Sequence, residues 1–159
     1  MVPDPQIDRI IRTRRRSRVS KRWQASRVQA HFDRHGWGLF AAEHEGVFIG
    51  YIGLFHVPFN ARFTPAVEIG WRLAREYWNH GLASEGARAC LDFGFSTLGL
   101  PEIVAFTTPG NLASQRVMEK IGMRQDPAGD FEHPRIARGH PLRRHVLYRT
   151  IPACTPPRQ

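Results

Sequence analysis

Residues 67–84, Val-Glu-Ile-Gly-Trp-Arg-Leu-Ala-Arg-Glu-Tyr-Trp-Asn-His-Gly-Leu-Ala-Ser, constrain this chain more than any other stretch. The apolar run over 67–73 predicts a strand, Asn79-His80-Gly81 a turn, and 82–95 a helix that follows directly. The first N–H groups of a helix have no internal partner, and the helix dipole is positive there. A strand feeding a glycine turn at a helix N-terminus is therefore a physical recipe for holding phosphate. Gly81 lets backbone approach a ligand with no side chain in the way. The competing account is a strand-to-helix turn that contains glycine and binds nothing.

A second segment bears on that choice. Asn111-Leu-Ala-Ser114-Gln-Arg-Val-Met-Glu-Lys-Ile-Gly122-Met123 predicts a short helix, with Asn111 or Ser114 as its N-cap and Gly122 just past its end. With both segments in this order and spacing, the sequence resembles the GNAT superfamily of acyl-CoA-dependent N-acetyltransferases, and within it the RimJ/RimL-type branch. The motifs carry the resemblance from about Ala25 to Ile151, not over residues 1–22. It implies a mixed, mostly antiparallel sheet flanked by helices, acetyl-CoA as co-substrate, and a primary amine as acceptor, either a small molecule or a protein N-terminus. By the same resemblance, the backbone after Gly70, with Trp71 and Leu73, would meet the pantetheine arm. Asn79, His80, Gly81, Leu82, Ala83 and Ser84 would hold the pyrophosphate, with a contribution from the Ser84 hydroxyl. Asn111 would bind the pantetheine amide. The family's fuller signature has Arg or Gln where this chain has Trp78, so one side-chain contact to phosphate is missing. The acceptor site would be built from the loops over 58–65 and 129–144.

The pattern along the chain gives the same fold class independently. It predicts a helix over 25–35, a hairpin of strands over 37–44 and 47–57, a strand over 66–73 and the helix that follows. Then come a strand over 102–108, a helix over 112–121, a weak strand and turn over 123–131, and a last strand over 145–151. Hairpins first and strand–helix units later define an α+β protein with a mixed sheet. The family's usual first strand is missing or diverged, which leaves one edge uncovered and open to dimerisation, so a monomer or a homodimer is expected. Ala87, Leu91 and Phe95 form an apolar stripe at helical spacing and are assigned to the core.

Acetyl transfer to an amine needs a base for the amine proton and donors for the developing oxyanion, and the leaving thiolate can take a proton. Glu68 is the candidate base, because a carboxylate inside an apolar strand is costly unless it has a task or a partner. Its rival assignments are a solvent-facing Glu or one paired with Arg62 or Arg72. Ser114 is the candidate acid beside the thiolate. Its rival role is an N-cap or a coenzyme contact.

Composition narrows the rest. The 159 residues suffice for one domain with a core, divided here into a basic arm over 1–22, the GNAT-like domain over 23–151 and a tail over 152–159. No run reaches the roughly 20 apolar residues of a membrane span, and the N-terminus lacks a secretory apolar core, so no membrane partner is expected. Two cysteines, Cys90 and Cys154, make a disulfide framework improbable and a reducing cytoplasm the expectation. The formal charge of +9 raises nucleic-acid binding as a rival function. Yet Arg outnumbers Lys 21 to 2, and much of the excess lies in the arm, which reads as an exposed helix or a solvated segment. A catalytically degenerate acyl-CoA-binding module is the other rival. His31 and His35 stand i, i+4 on one helix, a spacing that can grip zinc, but no third ligand of suitable spacing is evident. A solvated helix face is the expectation, with no metal.

Overall fold

The computed structural model describes the backbone of residues 21–152 and the side chains from Arg27 onward. The arm over 1–20 and the tail beyond 152 lie outside the described residues, as does the Trp23 side chain. Helix α1 is Lys21–His35, longer at its start than the sequence pattern predicts. It leads into the hairpin β1 (Leu39–His44) and β2 (Val47–His56), then β3 (Val67–Leu73) and a 3-10 turn, Arg75–Tyr77. Helix α2 (Leu82–Ser96), β4 (Ile103–Thr107) and α3 (Leu112–Lys120) follow. The weak region resolves into two short strands, β5 (Arg124–Gln125) and β6 (Phe131–Glu132), on either side of a 3-10 turn at Pro127–Gly129. Pro127 removes a backbone donor, which is why pairing breaks there. The last strand is β7 (Arg144–Thr150).

The seven strands run in the order β1-β2-β3-β4-β7-β5, with β6 also paired to β7. One pairing is parallel, β3 with β4, recorded at Glu68 opposite Val104. The mixed, mostly antiparallel α+β sheet expected from the sequence is thus the observed fold. Among the described residues no strand precedes Leu39, and β1 pairs with β2 alone.

The described residues fall into two compact units. The first takes residues 21–55 with Ile69–Cys90, and the second His56–Glu68 with residues 91–152. In the first, α1 lies against the hairpin through Phe32, whose ring meets Phe40 edge-on at 5.1 Å. His31 does not sit on a solvated face. It is 7% exposed, stacks on Phe55 at 4.2 Å, and its Nδ1 lies 2.8 Å from the Trp37 carbonyl oxygen. The chain reversal after α1 folds Trp37 back onto the helix, and the His31 ring fills the space beneath it. His35 is exposed, as expected. Helix α2 lies close on β2, because Gly86 leaves room for the Ile52 side chain.

Gly50 carries the tightest backbone contact of this unit. Its φ is +150°, and a Cβ there would stand 2.0 Å from the Arg72 carbonyl oxygen on β3. That neighbour is main chain and has nowhere to go. Gly50→Ala is therefore expected to cost about 2–4 kcal/mol, through overpacking plus backbone strain. Urea unfolding of the two proteins with an unchanged m-value would check it.

In the second unit, β7 sits between β4 and β5 and supplies Val146, Leu147 and Tyr148 to the core beside Ile103, Val104 and Ala105. Arg149 ties three segments together. Its Nη1 bonds Glu102 and its Nε bonds Asp126, each at 2.7 Å. Within α2, Ala87 and Leu91 are buried as the stripe predicts, whereas Phe95 is only half-buried.

Candidate active site

The turn before α2 is built from two left-handed residues. Asn79 has φ +64° and Gly81 φ +81°, and Asn is among the few non-glycine residues that accept this region at low cost. The Gly81 carbonyl accepts the first helical bond, from Glu85 N at 3.0 Å, which makes Gly81 the N-cap. The N–H groups of Leu82, Ala83 and Ser84 then have no partner within the helix. Left-handed residues beside a helix start turn successive N–H groups toward one side, the geometry of an anion-binding concavity. No atom lies within 4 Å of where a Gly81 Cβ would stand, and Asn79, His80 and Gly81 are exposed. The turn therefore fits a phosphate group. Ser84 is 6% exposed and lies deeper than the exposed residues of the turn.

Trp78 has a task that the sequence does not reveal. Its indole N–H donates to the Leu73 carbonyl at 2.9 Å, tying the turn back to the end of β3. The position that lacks the family's phosphate-contacting side chain thus braces the turn instead. Of the two strand residues expected to meet the pantetheine arm, Leu73 has a buried side chain and this engaged carbonyl, and Trp71 is half-buried.

In the second unit, Glu68 stands half-buried in β3. Burial alone drives its carboxyl up to about 7 from an ordinary value of 4.5. Among the described residues, none of the ion pairs engages Glu68, so neither Arg62 nor Arg72 neutralises it.

The start of α3 is held by Asn111, which is the N-cap. Its Oδ1 accepts from Ser114 N at 3.2 Å. Its Nδ2 donates to Thr107 Oγ1 at the end of β4, 2.9 Å away, and to Ser114 Oγ at 3.0 Å. Both amide hydrogens of Asn111 are thereby used. Ser114 Oγ accepts one bond from Asn111, which leaves its own O–H hydrogen to be given elsewhere. Nearby, the Tyr148 hydroxyl reaches Gln115 Oε1 at 3.3 Å and Glu119 Oε1 at 3.4 Å. Burial, then the charge and hydrogen bond of Glu119, hold that phenol above its ordinary value, so it stays protonated.

Phe59 and Phe63, which the sequence shows only as loop aromatics, gather with Phe106, Phe131, His133 and His145. Phe63 meets Phe131 at 5.0 Å, Phe106 meets Phe131 at 5.3 Å, and Phe59 meets His133 at 4.7 Å. All six rings are half-exposed. Burial and the nearby His145, Arg135 and Arg143 push the His133 imidazole below its usual value, toward the neutral form. Nothing in the spacing of these residues predicts the cluster, because they come from four separate segments. Cys90 is buried among apolar groups, which push its thiol up to about 12, so it packs and does not react.

The sheet order and the open turn before α2 define an α+β fold of the acetyltransferase type. The sequence profile of the Acetyltransferase (GNAT) domain matches residues 1–124, and the chain belongs to that family. The match begins at residue 1, whereas the motifs quoted above carry the resemblance only from Ala25. YkkB, an uncharacterized protein of Bacillus subtilis strain 168, is 44% identical over 91 residues, which are 56% of this chain and 52% of YkkB. The chain thus spans about half the length of this curated relative. A solved acetyltransferase from Agrobacterium tumefaciens strain C58 shares 30% identity at a TM-score of 0.64, over 84% of this chain and 72% of that one. Mycobacterium smegmatis RimJ, solved in complex with CoA-disulfide, shares 26% identity at a TM-score of 0.65, over 82% and 61%. Acetyl transfer is the chemistry of the family. Among the described residues, no helix is long and apolar enough to cross a membrane.

Proposed function

We propose that this protein is an N-acetyltransferase that uses acetyl-CoA to acetylate a primary amine, either a small molecule or a protein N-terminus. The observation that carries this reading is Glu68, a half-buried carboxyl whose pKa of about 7 suits a general base at neutral pH. Acetyl-CoA supplies an activated thioester. Glu68 takes the proton that the amine nitrogen sheds as its bond to the acetyl carbon forms and the carbon–sulfur bond breaks. Ser114, its hydroxyl oxygen already occupied by Asn111, gives a proton to the departing thiolate. The free N–H groups of Leu82, Ala83 and Ser84, with the Asn79–Gly81 turn, hold the pyrophosphate.

The test is CoA release by the full chain, measured with acetyl-CoA and a panel of small primary amines and peptides with free N-termini. Turnover with at least one amine, with mass-confirmed acetyl-amine product, is the expected result. Acetyl-CoA binding with no transfer to any amine would replace the reading with an acyl-CoA-binding module.

A further inference from the structure

The aromatic cluster and the candidate base lie on one face of the sheet. Residues opposite each other in a sheet project to the same side, and alternate residues along a strand share a face. Glu68 stands opposite Val104, and Phe106 is two residues further along β4. Phe106 is opposite Leu147, and His145, two residues before Leu147 on β7, is opposite Phe131. Glu68, Phe106, His145 and Phe131 therefore share a side. Tyr148, on the alternate side, reaches α3. Phe59 and Phe63 lie over the first side from the loop before β3, with ring centroids 5.8 and 6.0 Å from Phe106.

The loops that carry the cluster are also lopsided in charge. Residues 58–65 and 129–144 hold Arg62, Arg135, Arg138, Arg143 and Arg144 against only Asp130 and Glu132. Glu132 is bound to Arg143 at 2.6 Å, and Asp130 faces Arg144 at 3.7 Å while accepting from Leu147 N. Arg135 sits over the Phe59 ring at 5.9 Å and donates to the Pro58 carbonyl. Aromatic faces alone could attract a cationic substrate. Here a cation of the protein, Arg135, already lies over one of those faces, and both loop carboxylates are paired with arginines. With Glu68 facing the reacting amine, a substrate with further positive charges would meet repulsion from the loop arginines and no free loop carboxylate as counter-ion.

We propose that Phe59, Phe63, Phe106 and Phe131 form the acceptor subsite and select primary amines carried on an aromatic body with no second positive charge, over polyamines. This rests on the N-acetyltransferase reading for the reaction, while the preference itself is a binding property. The half-exposed rings give the substrate's own ring edge-to-face contact, which places its amine on the side of the sheet where Glu68 stands.

The experiment measures direct binding, by ligand-observed NMR, of 2-phenylethylamine and of spermidine to the full chain saturated with CoA. Wild type is compared with Phe59→Ala and with Phe63→Leu, which keeps an apolar side chain if the truncation disturbs the loop. The expected result is tighter binding of 2-phenylethylamine than of spermidine. Each variant should weaken the aromatic amine up to about tenfold, with CoA affinity unchanged. Tighter binding of spermidine, no binding of 2-phenylethylamine, or equal binding by wild type and both variants would overturn the proposal. The two readings fail separately. Transfer to another amine without phenylethylamine binding removes the subsite and leaves the reaction, whereas phenylethylamine binding without transfer to any amine removes the reaction and leaves the subsite.

Discussion

Glu68→Gln is expected to lower kcat by about 10²–10⁴-fold, the usual cost of losing a general base, while acetyl-CoA affinity stays close to that of wild type. Gln keeps the size and polarity of the side chain and removes only its capacity to take a proton. The wild-type rate should depend on pH in a defined direction. The carboxylate is the working form and titrates at about 7, so kcat rises with pH through that value and levels off above it. The residual activity of the Gln variant should lack this inflection. Stability gives a second readout of the same group. The folded pKa lies above its ordinary 4.5, so the native state holds the proton more tightly than the unfolded chain does. The contribution of Glu68 to stability is thus full below pH 4.5 and falls as pH rises through about 7, a decline that Gln abolishes. Turnover of Glu68→Gln equal to wild type across this range would show that the carboxyl is structural.

Gly81→Asp should abolish measurable acetyl-CoA binding in calorimetry. Two effects act in the same direction. The residue has φ +81°, where a side chain is strained, and the new carboxylate would stand in the open space over the turn, where a phosphate would otherwise meet N–H groups. Gly81→Ala introduces the strain without the charge and should weaken binding much less. An Asp variant that binds like wild type would place the phosphates elsewhere.

The elements legible in the sequence were those whose signal is local. Val67–Leu73 and Leu82–Ser96 follow from an apolar run, a glycine turn and a helical stripe, and Asn111 has the chemistry of an N-cap. The rest depends on where the chain reverses and which strands pair. The polar helix around His31 predicts a solvated face, yet Trp37, six residues on, folds over and buries it. The Trp78 hydrogen bond to Leu73 needs the 3-10 turn at Arg75–Tyr77 to bring the indole back, and no pattern announces that reversal. The aromatic cluster draws on two loops and three strands, and the register of β4, β6 and β7 brings its strand members together. Of the candidate site, the residue types and the turn were readable. The engaged Leu73 carbonyl, the buried Ser84 and the doubly used Asn111 amide were not, because each depends on which partner is in reach.

The position of β7 sets an order on the birth of the second unit. β4, β5 and β6 leave the ribosome before β7 does, yet β4 and β5 are not neighbours in the finished sheet, because β7 lies between them. At synthesis rates of roughly 5–20 residues per second, β4 waits seconds with that edge unpaired. Arg149, the residue that clasps Glu102 and Asp126 together, is nearly the last of β7 to emerge. The nascent chain therefore closes this half of the sheet in one late insertion, from its final strand inward, and a polypeptide halted before residue 144 would expose an apolar strand with no mate.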